Sequence, residues 1–198
     1  MVDLELDVYP LTRERFGDFE TVLGPHGAYG GCWCMYWRLK RSEFNAQQGD
    51  GNRQAMKSLV ESGSTPGLLG YLDGRPLGWV SVAPRLEFPV LNKSRILKAV
   101  DDQPVWSVNC FYVVRRSRRK GVSVALIKAA VHFATEHGAQ IIEGYPVDPR
   151  KGDYPDAYIY TGAMSAFKQA GFVEVLRRSD TRPIMRFYIS KTPVQQDK

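Results

Sequence analysis

Trp106-Ser107-Val108-Asn109-Cys110-Phe111-Tyr112-Val113-Val114 runs into Arg115-Arg116-Ser117-Arg118-Arg119-Lys120-Gly121-Val122-Ser123, and then into Val124-Ala125-Leu126-Ile127-Lys128-Ala129-Ala130-Val131. The first block, from Val105 to Val114, is rich in β-branched and aromatic residues and predicts a long strand. The third predicts an apolar helix over 121–137, stopped by Gly138. Between them lies a turn in which every residue from Arg115 to Lys120 except Ser117 is cationic. A helix N-terminus offers backbone N–H groups without intrahelical acceptors and about half a positive charge. Gly121 lets a backbone approach a ligand closely, Ser123 adds a hydroxyl, and arginines fork onto phosphate oxygens. The layout suits a phosphate at a strand-to-helix turn. A basic run also reads as a solvated face or a nucleic-acid patch. The glycine patterns of nucleoside triphosphate loops and of dinucleotide folds are absent from this turn.

Outward from this stretch the chain predicts a mixture of strands and helices. Leu4 to Tyr9 alternates as a strand, Thr12 caps a helix to Leu23, and Gly24 to Gly31 is a loop. A helix follows from Asn52 to Glu61. Strands at Gly67–Leu72 and Pro76–Ala83 flank Asp73-Gly74, a tight-turn signal. Arg85 to Asp102 is irregular, with room for a short helix. After the long helix come a short strand at Gln140–Tyr145, a loop with three prolines, a helix at Thr161–Ala170, and strands at Val173–Leu176 and Ile184–Ser190. This order, β-α-α-β-β-β-α-β-α-β-β, predicts an α+β layered fold in one domain, residues 1–190, with a frayed tail at 191–198.

With 198 residues, 43% apolar and 24% charged, the chain has the composition of a globular domain. No apolar run is long enough for a membrane span, and the acidic N-terminus lacks a signal-peptide layout. Three cysteines make a poor disulfide framework. We therefore expect a cytoplasmic protein without a membrane partner. The net charge of +6 is concentrated at the basic turn, so a phosphorylated ligand accounts for it and a nucleic-acid partner is disfavoured.

The turn Arg118-Arg119-Lys120-Gly121-Val122-Ser123 resembles the Arg/Gln-x-x-Gly-x-Gly/Ala signature of the GCN5-related N-acetyltransferases (GNAT). Ser123 stands, still small, at the last position. Phe167-Lys168-Gln169-Ala170-Gly171-Phe172 resembles the aromatic, three residues, Gly-Phe ending of that family's fourth helix. The element order resembles the family over residues 4–190. The resemblance implies a V-shaped mixed sheet with helices on both faces, splayed between the strand ending at Val113 and the strand at 140–145. It implies acyl transfer, with acetyl-coenzyme A (acetyl-CoA) as donor and a small-molecule or peptide amine as acceptor. In that reading the backbone of Phe111, Tyr112 and Val113 holds the pantetheine arm and polarises the thioester. Arg118, Arg119, Lys120, Gly121, Val122 and Ser123 hold the pyrophosphate, Arg116 meets the 3′-phosphate, and Phe167 lies beside the coenzyme. No metal is implied. Dimers are common in the family, so a homodimer stays open.

Direct attack needs a neutral amine. Deprotonating an alkyl amine of pKa near 10.4 at pH 7 costs roughly 4–5 kcal/mol, so a base is sought. Glu143, beside the expected split, is the candidate, and it reads equally as a solvent-facing glutamate; Glu87 and Asp148 are weaker choices. Many members place a proton-donating tyrosine where this chain has Phe167. Tyr160, seven residues earlier and so on the same face if one helix holds both, is the substitute acid, or else a packing tyrosine. Cys32-Trp33-Cys34-Met35-Tyr36-Trp37 offers Trp33, Tyr36 and Trp37, with Glu87, as an acceptor wall, or else as core. Zinc binding lacks a second cysteine pair. Two further readings remain: a protein of this fold that acts on or with aminoacyl-tRNA, and an acyl-CoA-binding module without turnover.

Overall fold

The structure is a computed structural model that describes residues 4–149 and 156–189. Among these residues seven strands form one sheet: β1 (Asp7–Pro10), β2 (Gly67–Leu72), β3 (Arg75–Pro84), β4 (Trp106–Val113), β5 (Ile141–Gly144), β6 (Val173–Arg177) and β7 (Pro183–Tyr188). They lie in the order β1-β2-β3-β4-β5-β7-β6. All neighbours are antiparallel except β4 and β5, which are parallel. The mixed sheet expected from the element order is the one observed. At the β2–β3 turn Asp73 (φ 51°) and Gly74 (φ 71°) are both left-handed, as a tight hairpin requires.

Among the described residues six α-helices accompany the sheet: α1 (Phe16–Leu23), α2 (Arg41–Ala46), α3 (Asp50–Glu61), α4 (Pro89–Lys93), α5 (Val122–Glu136) and α6 (Met164–Gln169). Leu126, Ile127 and Ala130 of α5 and Phe167 of α6 pack on Val80, Val82, Val108 and Ile142. On the opposite face Phe19 and Val22 of α1 and Met56 and Val60 of α3 pack on Leu69, Tyr71 and Trp79. Central strand β3 is therefore covered on both faces. This explains why its sequence is a nearly continuous apolar run rather than an alternation.

Several boundaries differ from expectation. Helix α1 begins at Phe16, because residues 12–15 form a turn rather than a capped first turn. Asn52 is not a cap. It is fully buried inside α3, where its side-chain amide donates to the carbonyls of Gly31 (3.1 Å) and Phe44 (3.4 Å). Helix α2 was not expected; Phe44 is its one buried anchor, too little for a periodic signal. Helix α6 starts at Met164, after Gly162 (φ 88°), so Tyr160 and Phe167 do not share a helix. Residues 190–198, including the expected tail, lie outside the described residues.

Candidate active site

Parallel pairing between β4 and β5 lasts three positions: Trp106 opposite Ile142, Ser107 opposite Glu143, and Val108 opposite Gly144. Beyond Val108, β4 continues to Val113 with no partner in β5. The sheet thus splits where the sequence expectation put the split.

The far end of the open strand leads into the basic turn. The first bond of α5 runs from the Ala125 N–H to the Gly121 carbonyl (3.1 Å). Helix geometry therefore leaves the N–H groups of Val122, Ser123 and Val124 without intrahelical acceptors. Gly121 has φ 83°, a conformation that strains other residues, and Arg119 before it is left-handed at φ 60°. A Cβ added at Gly121 would meet only Leu4, at 3.7 Å, so the space over this backbone is open. Arg118 ties the turn to the strand: its Nε donates to the Val113 carbonyl (2.9 Å) and its guanidinium lies 5.9 Å from the centre of the Tyr112 ring. Arg115, Arg116, Arg119 and Lys120 are exposed. The residues expected at a pyrophosphate are thus contiguous, and orphan donors and cations surround them.

The inner end of the split is filled by the chain's own residues. The Phe111 N–H donates to the Tyr160 carbonyl at 2.6 Å. Strand alternation points the Val113 N–H to the same side and those of Tyr112 and Val114 toward β3, and Val114 indeed bonds the Leu77 carbonyl (3.0 Å). Of the expected thioester donors, Phe111 is therefore already engaged, Tyr112 faces β3, and Val113 faces the split. Phe167 is fully buried, edge-on to Phe111 (5.9 Å) and Phe172 (5.0 Å). Its ring lies over Gly144, where a Cβ would come within 2.1 Å, and against Gly162, where one would come within 2.8 Å. Phe167 is a packing residue at the floor of the split. The coenzyme contact expected of it does not fit a side chain with no exposed surface.

Glu143 also departs from expectation. It is 1% exposed. One oxygen accepts from Arg85 (3.2 Å) and the Tyr145 hydroxyl (2.7 Å), the other from Arg186 (2.9 Å). Arg186 also holds Asp101 (2.7 and 2.9 Å), and Tyr145 meets Ser107 (2.8 Å). Two buried cations thus hold this carboxylate away from any acceptor, and the geometry argues against its use as a base. Glu87 is bound by Arg38 (2.6 Å), and Asp148 by Arg177 (2.8 Å). All three carboxylates considered as bases are committed to arginines.

The aromatic segment divides. Trp33 (φ 45°) turns into the core beneath Phe19 (6.1 Å) and stands so close to Gly27 that a Cβ there would touch its indole. It also borders a hollow of about 710 Å³ with Tyr29, Gln48 and Arg53. Tyr36 and Trp37 face the other way and meet Tyr160: the Tyr36 ring is 6.1 Å away edge-on, and Trp37 is stacked at 6.5 Å and 27°. Residues far apart in the chain thus form one aromatic corner against β4. Burial, then repulsion from Tyr36 and Cys110, push the Tyr160 hydroxyl well above the usual tyrosine range. Cys34 lies behind this corner and accepts the Trp79 indole N–H (3.1 Å); its hydrogen bond and burial hold the Cys110 thiol well above the usual thiol range. Among the described residues no group of three or more His, Cys, Asp or Glu side chains is arranged to hold a metal.

Sequence reasoning missed Arg38, Arg41 and Arg182. The Arg41 guanidinium lies 3.7 Å from the Tyr36 ring centre, and Arg182 donates to the Thr161 hydroxyl (2.8 Å). Arg38 and Arg41 adjoin the aromatic segment and could have been read with it. Nothing local signals Arg182.

The sequence profile of the acetyltransferase (GNAT) family matches residues 33–149, more than half of the chain. No curated protein matches the chain by sequence. Solved structures do match by shape. A PaiA N-acetyltransferase from Thermoplasma acidophilum, in complex with coenzyme A, is 10% identical with a TM-score of 0.53, over 94% of this chain and all of that one. A histone acetyltransferase HPA2-related protein from Corynebacterium glutamicum is 17% identical with a TM-score of 0.56, over 96% and 100%. The aminoglycoside acetyltransferase AAC(6')-Ib, with paromomycin and acetyl-CoA, is 13% identical with a TM-score of 0.54, over 93% and 94%. These likenesses show the fold; the profile match together with the split sheet and its basic turn shows that the chain belongs to the GNAT family of acyltransferases.

Proposed function

We propose that this protein transfers an acetyl group from acetyl-CoA to an amine by direct attack within a ternary complex. The observation that carries the reading is the split between β4 and β5, with the glycine turn and the N-terminus of α5 at its outer end. The residues present suit such a donor: orphan N–H groups at 122–124, open space over Gly121, exposed arginines at 115, 116 and 119, and an open edge on β4. When bound, the donor supplies a thioester carbon that an amine can attack. The Val113 N–H faces the split and can donate to the pantetheine arm or the thioester oxygen. The Phe111 N–H can do the same only after leaving the Tyr160 carbonyl, so donor entry moves the 159–162 segment. Tyr160 keeps its proton because burial disfavours its ionised form, so beside β4 its hydroxyl can hydrogen-bond a departing thiolate while the proton lost by the attacking amine reaches the sulfur through water. Tyr36 and Trp37 shape the acceptor side and exclude water.

Because the nearby carboxylates are ion-paired, amine deprotonation falls to water or to an acceptor of low pKa. An α-amine near 7.7–8.0 costs only about 1 kcal/mol at pH 7, against roughly 4–5 kcal/mol for an alkyl amine. No helix among the described residues is long and apolar enough to cross a membrane, and a cytoplasmic site of action suits the donor.

Calorimetric titration with acetyl-CoA tests the reading. Micromolar binding is expected, weakened about tenfold or more by Arg118→Ala and by Gly121→Val, since each removes part of the phosphate cradle. Absence of binding to the intact protein would overturn it. Binding without transfer to any amine would leave a coenzyme-binding module.

A further inference from the structure

We infer that the acceptor amine carries an anionic group of its own, a carboxylate or a phosphate, held by Arg182 and Arg41. The inference deepens the acetyltransferase reading and rests on it. The aromatic corner of Tyr36, Trp37 and Tyr160 has a guanidinium at each end. Arg41 lies over Tyr36, and Arg182 is bonded to Thr161, the neighbour of Tyr160. Neither arginine has a carboxylate partner among the described residues. Three acids near the split are ion-paired: Glu87 with Arg38, Asp148 with Arg177, and Glu143 with Arg85 and Arg186. Carboxylates already held by arginines attract a polyamine or an aminoglycoside less than free ones would.

Buried donors without acceptors point the same way. Trp37 is 8% exposed and its Nε1 has no partner; Asn109, two residues before Phe111 on β4, is 1% exposed and its Nδ2 has none. The Arg38 Nε is likewise buried and unmatched. A buried donor left alone is costly, so the unmatched Trp37 Nε1 within the corner favours a ligand that brings an acceptor. Guanidinium groups match the planar fork of a carboxylate and also hold phosphate.

The test uses paired acceptors, with rates and affinities referred to the neutral-amine fraction of each. Glycylphenylalanine is compared with its C-terminal amide, and O-phosphoethanolamine with ethanolamine; spermidine serves as the polycation. Acetyl transfer and calorimetric binding of each amine are both measured, with acetyl-CoA affinity determined on the same samples. The anionic member of at least one pair is expected to be favoured about 10- to 100-fold in kcat/KM and in Kd. The pair that responds identifies carboxylate or phosphate. Arg182→Ala should collapse that ratio toward one while acetyl-CoA binding is unchanged. Arg182→Lys, which keeps the charge and the bond to Thr161, should lose part of it. Equal use of both members of each pair, a preference for spermidine, or a ratio untouched by Arg182→Ala would overturn the inference while leaving the acetyltransferase reading intact. Failure to bind acetyl-CoA would overturn both.

Discussion

Arg115 to Ser123 occupy consecutive positions between one strand and one helix, whereas Tyr36, Trp37, Tyr160 and Arg182 reach their corner from distant parts of the chain. The basic turn proposed to hold the donor is built by local geometry. A left-handed glycine, the start of α5 and a bond from Arg118 back to Val113 suffice. The aromatic corner proposed to face the acceptor exists only because the sheet splits and the 159–162 segment lies in the opening, bonded to Phe111. A local site can be damaged with little cost to the fold. An assembled one depends on whatever holds the surrounding layers in place.

The strongest way to break this contrast is to remove the anion beneath the split. Glu143→Gln leaves buried Arg85 without its counter-charge and Arg186 with Asp101 alone, and a loss of about 3–5 kcal/mol is expected in urea unfolding. The folded fraction should still bind acetyl-CoA, because the donor turn is remote from the network. A variant that kept its stability but lost an ionisation from its pH–rate profile would restore Glu143 as the base.

Phe167→Tyr sharpens the same contrast at smaller scale. The position is enclosed by Gly144, Gly162, Phe111 and Phe172, so an added hydroxyl would be buried with no prepared partner. A loss of about 1–3 kcal/mol and no gain in kcat are expected. If kcat rose instead, the ring would have access to the departing thiol, and the packing role assigned to Phe167 would be wrong.

The smallest effect concerns Cys32. Burial, then repulsion from Cys34, raise its thiol to about 11 from an ordinary 9.0. The unfolded chain loses this proton near pH 9 while the folded chain keeps it. The associated stability is therefore fully present below pH 9 and is lost as pH rises through about 11. Wild type should lose about 1–2 kcal/mol more than Cys32→Ser between pH 8 and 10.5. Identical pH profiles would mean that the thiol is open to water.

Much of the architecture could be read directly. The Asp73-Gly74 hairpin, the long strand before the basic turn, the helix stopped by Gly138 and the order of seven strands all depend on short-range patterns. Glu143 misled for a physical reason. Alternation shows that a strand residue faces away from its neighbours, but not whether that face meets water or two arginines. Tyr160 misled differently: a spacing of seven implies one face only within a single helix, and Gly162 breaks the run before α6 begins. Even so, Tyr160 meets Tyr36 and Trp37, two of the residues named as the acceptor wall, through contacts that the spacing did not foresee. Trp33, named with them, turned into the core.

The sequence by itself determined the form of the basic glycine turn, because glycine conformation, helix-end polarity and clustered cations act between neighbours in the chain. It also determined the layer order, through periodicity and turn chemistry. Only the tertiary structure decided which carboxylates were neutralised, which backbone donor on β4 remained open, and which arginines stand beside the acceptor corner. Those outcomes depend on ion pairs and ring contacts between residues tens of positions apart, and no local pattern encodes the partner of a long, flexible, charged side chain.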